Sequence, residues 1–363
     1  MKMILISLLL LALAAAGAAG YFLCQAGAAP DAEQLKQFER LAYFKNGRFT
    51  AENDVSVHPE KMTGGSTFSF FSVKKYAPET PLPQEKLDKN SFPQTPGELA
   101  VYWLGHSSFI LEIGARRIIL DPVLGNAAPL PGLFKRYGQA PITRENFPPV
   151  DIVLITHNHY DHLERASVRA LAKRGAAFVV PLGVGTALKS WGVKAQHIHE
   201  LGWNDTFTQN GLTITAQRAE HYSSRRGTDK NKTLWNGYTL EAGGRKIYVS
   251  GDTGYNERLF KEIGRRHGPF DAALVEIDAW NPGWPGMHLF PAQAVRTAQD
   301  VNAKQLIPAH WGVFNLGLHR WDESIRAVQR LADENNVRVS APVMGERFEP
   351  GKTLTRRWWE NLN

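Results

Sequence analysis

From residue 99 onward the chain alternates short apolar runs with longer amphipathic stretches. The runs at 100–104, 109–113, 117–120, 152–155 and 177–180 are bounded by Gly, Pro, Asp and polar clusters and carry many β-branched and aromatic residues, so they read as strands. Those at 109–113 and 117–120 form a hairpin joined at Gly114. Apolar residues at helical spacing predict helices over 165–174 and 184–191. The second half repeats this logic with different residues. Strands are expected over 212–216, 234–241, 246–250, 271–277 and 305–308, and helices over 257–264, 291–301 and 322–335. Mixed strands and helices in two similar halves predict two sheets face to face with helices outside.

The first 98 residues have a different texture. Residues 4–24 are an uninterrupted apolar run behind Lys2, long enough to span a bilayer as a helix and also built like a signal peptide, with small residues at 14–20. Either reading sends the remainder across a membrane, in a bacterium to the periplasm, with Lys2 left on the cytoplasmic side. Residues 25–98 read as an irregular extension packed across the main domain. They hold an amphipathic helix over 33–45, an aromatic patch at Phe68, Phe70 and Phe71, and a Pro-rich stretch at 78–96. Residues 99–350 then form the main domain, and 351–363, with Trp358 and Trp359, a tail.

Composition narrows the function classes. Apolar content of 43% and charged content of 21% belong to a globular chain. The net charge of +7 is compatible with an anionic lipid surface or a phosphorylated substrate. No zinc-finger spacing or basic helix points to nucleic acid. Cys24 is the only cysteine, which excludes an intrachain disulfide.

The chemistry gathers at strand ends. Directly after the strand at 152–155 stands Thr156-His157-Asn158-His159-Tyr160-Asp161-His162-Leu163, four metal-ligating side chains within six residues. In extended backbone His157 and His159 point the same way and can share one ion, whereas Asp161 and His162, past the turn, face a second position. Three further candidates also follow strands: His221, Asp252 in Gly251-Asp252-Thr253-Gly254, and His310 in His310-Trp311-Gly312. Five imidazoles and two carboxylates exceed one tetrahedral site and suit two ions, with Asp252 between them. His288 sits in the loop after the strand at 271–277, as a candidate general acid or phosphate contact. His106, Tyr160 and Asp278 are candidates for orienting a ligand or the substrate.

These residues resemble the metallo-β-lactamase superfamily, and more narrowly the N-acylphosphatidylethanolamine-hydrolysing phospholipase D family, over about 99–347. The resemblance is carried by Trp103-Leu104-Gly105-His106-Ser107-Ser108, Asp121-Pro122, the histidine stretch, Gly251-Asp252-Thr253-Gly254-Tyr255, Gly268-Pro269-Phe270-Asp271 and His310-Trp311-Gly312. It implies an α/β fold of the αββα sandwich type and two zinc ions. His157, His159 and His221 would hold the first, Asp161, His162 and His310 the second, with Asp252 bridging and Asp161 also counted among the catalytic groups. It implies hydrolysis of a phospholipid phosphodiester, with a lactonase of the same fold as the alternative. Val275-Glu276-Ile277-Asp278-Ala279-Trp280 departs from the family pattern at the pocket wall, and the apolar amino terminus departs from a soluble or peripheral enzyme. The single cysteine disfavours true β-lactamase activity, for which this fold commonly recruits a cysteine ligand.

Overall fold

The computed structural model describes residues 2–53, 55–65, 69, 73–129, 132–354 and 356–362. The aromatic patch expected at Phe68, Phe70 and Phe71 lies outside them.

The amino-terminal part contributes helices α1 (Lys2–Ala26), α2 (Ala32–Phe38) and α3 (Val73–Tyr76), and a two-stranded hairpin, β1 (Phe44–Lys45) and β2 (Arg48–Phe49). The helix expected over 33–45 therefore ends at Phe38. The reason is local: Asn46 and Gly47 adopt φ of 53° and 73°, the left-handed pair of a tight hairpin turn, which folds Phe44 against Phe49. Phe38, Phe44 and Phe49 then pack on Trp203, Leu234 and Trp235 of the main domain.

The main domain is a sandwich. One sheet has seven strands in the order β15-β3-β4-β5-β6-β7-β8. These are β3 (Leu99–Gly105), β4 (Ser108–Ile113), β5 (Arg116–Leu120), β6 (Ile152–Leu154), β7 (Ala177–Pro181), β8 (Ile198–Leu201) and β15 (Arg347–Phe348). The other has six, in the order β14-β13-β12-β11-β10-β9. They are β9 (Thr206–Gln209), β10 (Leu212–Gln217), β11 (Gly237–Ala242), β12 (Arg245–Val249), β13 (Ala272–Glu276) and β14 (Leu306–Ala309). In each sheet an antiparallel meander continues into parallel strands: β5 through β8 in one, β12 through β14 in the other. The parallel crossovers place α4 (Arg165–Ala172) and α5 (Val184–Ser190) on one outer face. They place α6 (Glu257–His267), α7 (Pro291–Asp300) and α8 (Glu323–Glu334) beside the other sheet. The result is an αββα sandwich.

Strand alternation explains the two cores. Val101, Trp103, Phe109, Leu111, Ile118, Ile152 and Leu154 face the six-stranded sheet and meet Leu212, Ile214, Leu240 and Ile247. Their neighbours Ala100, Tyr102, Leu104, Ile110, Ile119, Val153 and Ile155 face outward onto Val168 and Leu171 of α4 and Val184 and Leu188 of α5. Strands buried on both faces read as continuous apolar runs, which is why they stand out in the sequence. The strands that escaped detection, β8, β9 and β15, are short or half-polar edge strands. β9 joins β10 through Asn210-Gly211, again at positive φ (49° and 81°). The strand expected over 234–241 begins only at Gly237, because Leu234 and Asn236 send their amides to the carbonyls of Leu182 and Thr156 instead.

Candidate functional site

The carboxyl ends of the strands converge on one edge of the sandwich. β6 leads into Thr156 and the histidine stretch, β12 into Asp252, β14 into His310, β3 into His106, and β13 ends on Glu276. Three non-glycine residues at these ends have left-handed backbone: His106 (φ 55°), Asp121 (φ 40°) and His310 (φ 62°). Such conformations cost energy and persist where surrounding structure imposes them. Here the His310 amide bonds the His106 carbonyl at 3.1 Å, and Trp103 Nε1 donates to that same carbonyl at 2.9 Å. Beneath, Trp103 stacks on Trp311 at 5.0 Å and Trp358 of the tail stacks on Trp311 at 5.5 Å. An aromatic column thus seats the His310 turn.

All seven side chains anticipated as ligands are brought together. Asp252 Oδ2 is the hub, 3.0 Å from His310 Nε2, 3.2 Å from His162 Nε2, and 3.7 Å from both His157 Nε2 and His221 Nε2. Asp161 Oδ2 lies 3.4 Å from His310 Nε2 and 3.5 Å from His162 Nε2. The His159 Nδ1 atom is 2.8 Å from His157 Nε2 and 3.3 Å from His221 Nε2. Two groups of converging ligand atoms hold the anticipated residues, His157, His159, His221 and Asp252 in one, His106, Asp161, His162 and His310 in the other, and a third joins Asp252 and His310 to Glu276 and His288. His106 joins the second group directly, with Nε2 3.0 Å from Asp161 Oδ2.

This donor set fits divalent metal ions. Among the described residues His159 Nε2, His162 Nε2, His310 Nε2 and Asp252 Oδ1 are buried without a hydrogen-bond partner of proper geometry. Orphaned donors and acceptors at that density are costly unless an ion takes them. The outward nitrogens are held. His221 Nδ1 donates to the Met287 carbonyl at 3.0 Å, which leaves Nε2 as a lone-pair donor toward the cluster. His162 Nδ1 meets Asp121 Oδ2 at 2.7 Å, and Asp121 also accepts from the Thr156 amide (2.8 Å) and hydroxyl (2.6 Å).

Without an ion, the two carboxylates are balanced by protons on His162 and His310 while the other rings stay neutral. Burial, then neighbouring imidazoles, holds His157 far below its ordinary value; burial and His221 hold His159 down at about 3. Burial likewise takes His106 and His221 to about 3, so these rings are neutral. Burial opposes ionisation of Asp161 and Asp252, yet His162 and the other imidazoles overcome it and both carboxyls stay far below the usual range. Burial disfavours a charged His310, but Asp252 and Asp161 raise it to about 10.

A cavity of about 360 Å³ opens onto these ligands. His159, Asp161, Asp252, His288 and His310 form its polar floor, and Val57, Met62, Trp284, Met287 and Leu316 its apolar walls. His288 is therefore at the site, 12% exposed, with Nδ1 2.7 Å from Glu276 Oε2. Burial takes His288 down to about 4 and pushes Glu276 far above the carboxylate range, with Asp252 adding to the latter. Tyr160 lines the cavity and donates its hydroxyl to the Arg225 carbonyl at 2.8 Å. Asp278 does not reach the ligands: it accepts from Ser324 Oγ at 2.6 Å and lies 3.2 Å from His319 Nε2.

Two residues at the site went without a role in the sequence reading. Asp121 had its signal in Asp-Pro closing a strand. Glu276 had one too, a carboxylate ending an otherwise apolar, fully buried strand. It accepts the amides of Thr253 (2.6 Å) and Leu289 (3.3 Å), so it ties the Asp252 turn to the His288 loop.

Comparison with known proteins places this geometry. The model of the Beta-lactamase superfamily domain matches residues 116–311. An N-acyl-phosphatidylethanolamine-hydrolyzing phospholipase D of Caenorhabditis elegans is 32% identical over 299 residues, covering 77% of this chain and 83% of that protein. An uncharacterised protein of Mycobacterium bovis is 38% identical over 289 residues, 78% of this chain and 77% of its own. Among solved structures, a metallo hydrolase of the archaeon Ignicoccus hospitalis superposes with a TM-score of 0.54 at 22% identity, covering 69% of this chain and 98% of that one. The isothiocyanate hydrolase from Delia radicum gut bacteria gives a TM-score of 0.55 at 20% identity, covering 69% and 99%. These two show a shared fold.

Proposed function

We propose, from the premise that the chain belongs to the beta-lactamase superfamily and has phospholipase D-type relatives, that it is a binuclear zinc phosphodiesterase hydrolysing an N-acylated phosphatidylethanolamine or a related phospholipid. It is a metal-dependent hydrolase by fold. The observation that carries the finer reading is Asp252 Oδ2, equidistant within 0.7 Å from imidazoles of both ligand groups. On this reading His157, His159 and His221 would hold one ion, Asp161, His162 and His310 the other, with Asp252 shared. When bound, the pair would supply a nucleophilic water near neutral pH and Lewis acidity toward phosphoryl oxygens. The chain's own residues do the rest. Asp121, Thr156 and the Met287 carbonyl fix the imidazole tautomers. His288 would give its Nε2 proton to the leaving alkoxide while Nδ1 takes the proton of Glu276, which ends as the carboxylate. Trp284, Met287 and Leu316 give an apolar wall suited to the acyl part of a lipid. Residues 99–350 form the catalytic unit, 25–98 an extension packed on it, 351–363 its tail, and 1–24 the segment that brings it to the far side of a membrane.

The test is a side-by-side screen of the zinc-loaded full chain with N-acylphosphatidylethanolamine, simpler phosphodiesters, and sugar-phosphate and acyl-homoserine lactones. Release of an N-acylethanolamine and phosphatidic acid is expected. Turnover of lactones with none of phosphodiesters would replace the phosphodiesterase reading by lactonase.

A further inference from the structure

The apolar helix α1 ends on the loop that carries the histidines. Arg225, 5% exposed, donates from Nε to the Ala26 carbonyl (3.0 Å), from Nη2 to that of Gln25 (2.8 Å) and from Nη1 to that of Asn158 (2.9 Å). Its guanidinium also lies over the Tyr160 ring, 3.9 Å from the centroid. Trp191 Nε1 donates to the Cys24 carbonyl at 3.0 Å. A cation on the orphan carbonyls of a helix end is favourable both as a cap and against the helix dipole. The rest of α1 leaves Ile6, Leu9, Leu11 and Leu13 more than half exposed. The span Ile6–Ala26 has 21 residues. At ~1.5 Å per residue that is roughly 31 Å, the thickness of a bilayer's hydrocarbon core. Hydrocarbon is the occupant that such a surface fits, and the clamp then holds the catalytic loop at the membrane surface.

Between α1 and the domain runs a groove of about 270 Å³, lined by Tyr21 and Gln25 of α1 with Ala128, Tyr160, Arg165 and Arg225. Tyr160 also lines the metal cavity, so one side chain forms the partition between the two spaces. Arg165 Nε is buried in this region and, among the described residues, has no hydrogen-bond partner. Glu164 also lines the groove, and its carboxylate is taken by Arg144 at 2.5 Å. A guanidinium with an unmet donor suits a phosphate oxygen. We propose that α1 stays in the mature protein and that this groove receives the headgroup phosphate of a membrane phospholipid before it passes Tyr160 into the metal cavity, with Arg165 as the phosphate contact. The identity of that lipid as the substrate rests on the phosphodiesterase reading; occupation of the groove does not.

The experiment uses the full chain extracted from membranes. Amino-terminal sequencing and intact mass should find α1 still attached; a mature terminus beyond residue 20 would overturn its retention. The sole cysteine, exposed Cys24, then takes an environment-sensitive fluorophore one residue from Gln25. In phosphate-free detergent, dihexanoylphosphatidylethanolamine should give a saturable change, and dihexanoylglycerol, lacking phosphate, should not. Arg165→Gln should raise the half-saturating concentration about ten-fold or more, and Arg165→Lys less. Equal titrations by the two lipids, or indifference to Arg165→Gln, would overturn the groove site. With nanodisc-embedded N-acylphosphatidylethanolamine, Arg165→Gln should raise KM while kcat moves little; equal loss in kcat would make Arg165 part of the reaction site instead. If the wild type turns over no phosphodiester, the proposed function fails while the fluorescence titration still decides the groove.

Discussion

The Nδ1 atom of His288 lies 2.7 Å from Oε2 of Glu276, while Glu276 Oε1 accepts two backbone amides, from Thr253 and Leu289. The two carboxyl oxygens therefore have different duties. Oε1 is an acceptor only, and Oε2 sets which nitrogen of His288 carries the proton. A neutral ring donates from Nε2 only if Nδ1 accepts, which places the shared proton on Glu276.

That arrangement makes Glu276→Gln informative. Its amide oxygen can replace Oε1 and its NH₂ can donate to His288 Nδ1, enforcing the tautomer with a proton on Nε2. But an amide cannot pass a proton to Nδ1 as Nε2 gives up its own, so Glu276→Gln should lower kcat on the natural leaving group nearly as far as His288→Ala, ~10²–10⁴, with zinc content unchanged in both. A substrate with a good phenolate leaving group should lose far less in His288→Ala. Equal losses on both substrates, with metal retained, would leave His288 as a positioning or phosphate-binding residue.

The purified protein should hold close to two zinc ions per chain, because two ligand groups converge and Asp252 of the first also approaches His162 and His310 of the second. Asp252→Ala should lose metal and activity together, as read by atomic emission on the variant. One ion per chain with full turnover would defeat the two-ion reading.

Asp121 is fully buried, and it orients His162 and Thr156. Asp121→Ala should weaken metal binding by roughly 10–100-fold, seen as loss of one ion at chelator concentrations the wild type withstands. Unchanged competition with the chelator would show that His162 needs no such support.

Stability has a separate weak point. Arg117 donates to Glu112 Oε1 from Nη2 at 2.7 Å and Nε at 3.1 Å, and both residues are buried. Glu112 Oε2 also accepts the Gly97 amide at 2.9 Å. Glu112→Ala leaves the buried Arg117 charge without its carboxylate, with only the Pro93 and Pro149 carbonyls as acceptors, and should destabilise by ~3–5 kcal/mol in chemical denaturation, while replacing both partners with apolar residues should recover part of it. A loss below about 1 kcal/mol, the level of a surface pair, would contradict this.

Placement is tested by fusing a reporter after Asn363. On the proposal that α1 brings the chain across the membrane, it should be active only outside the cytoplasm. Strong cytoplasmic activity of the reporter would reverse that orientation.

The sequence by itself determined the sandwich and most of the ligand set. Strands buried on both faces leave continuous apolar runs, and His157, His159, Asp161 and His162 fall within one short stretch after such a run. Candidate ligands far apart in the chain were legible as well, because His221, Asp252 and His310 each follow a strand. The tertiary structure decided what depends on contacts between distant segments. It drew His106 from an orienting candidate into the second ligand group and sent Asp278 away to Ser324. It gave Asp121 and Glu276 partners 41 and 12 residues along the chain, a relation that no local spacing encodes. It also joined Arg225 to the end of α1 across 199 residues, a contact that the apolar run does not foretell. Periodicity reports which face of an element is buried; which polar side chains meet there is fixed only when the sheets close on each other.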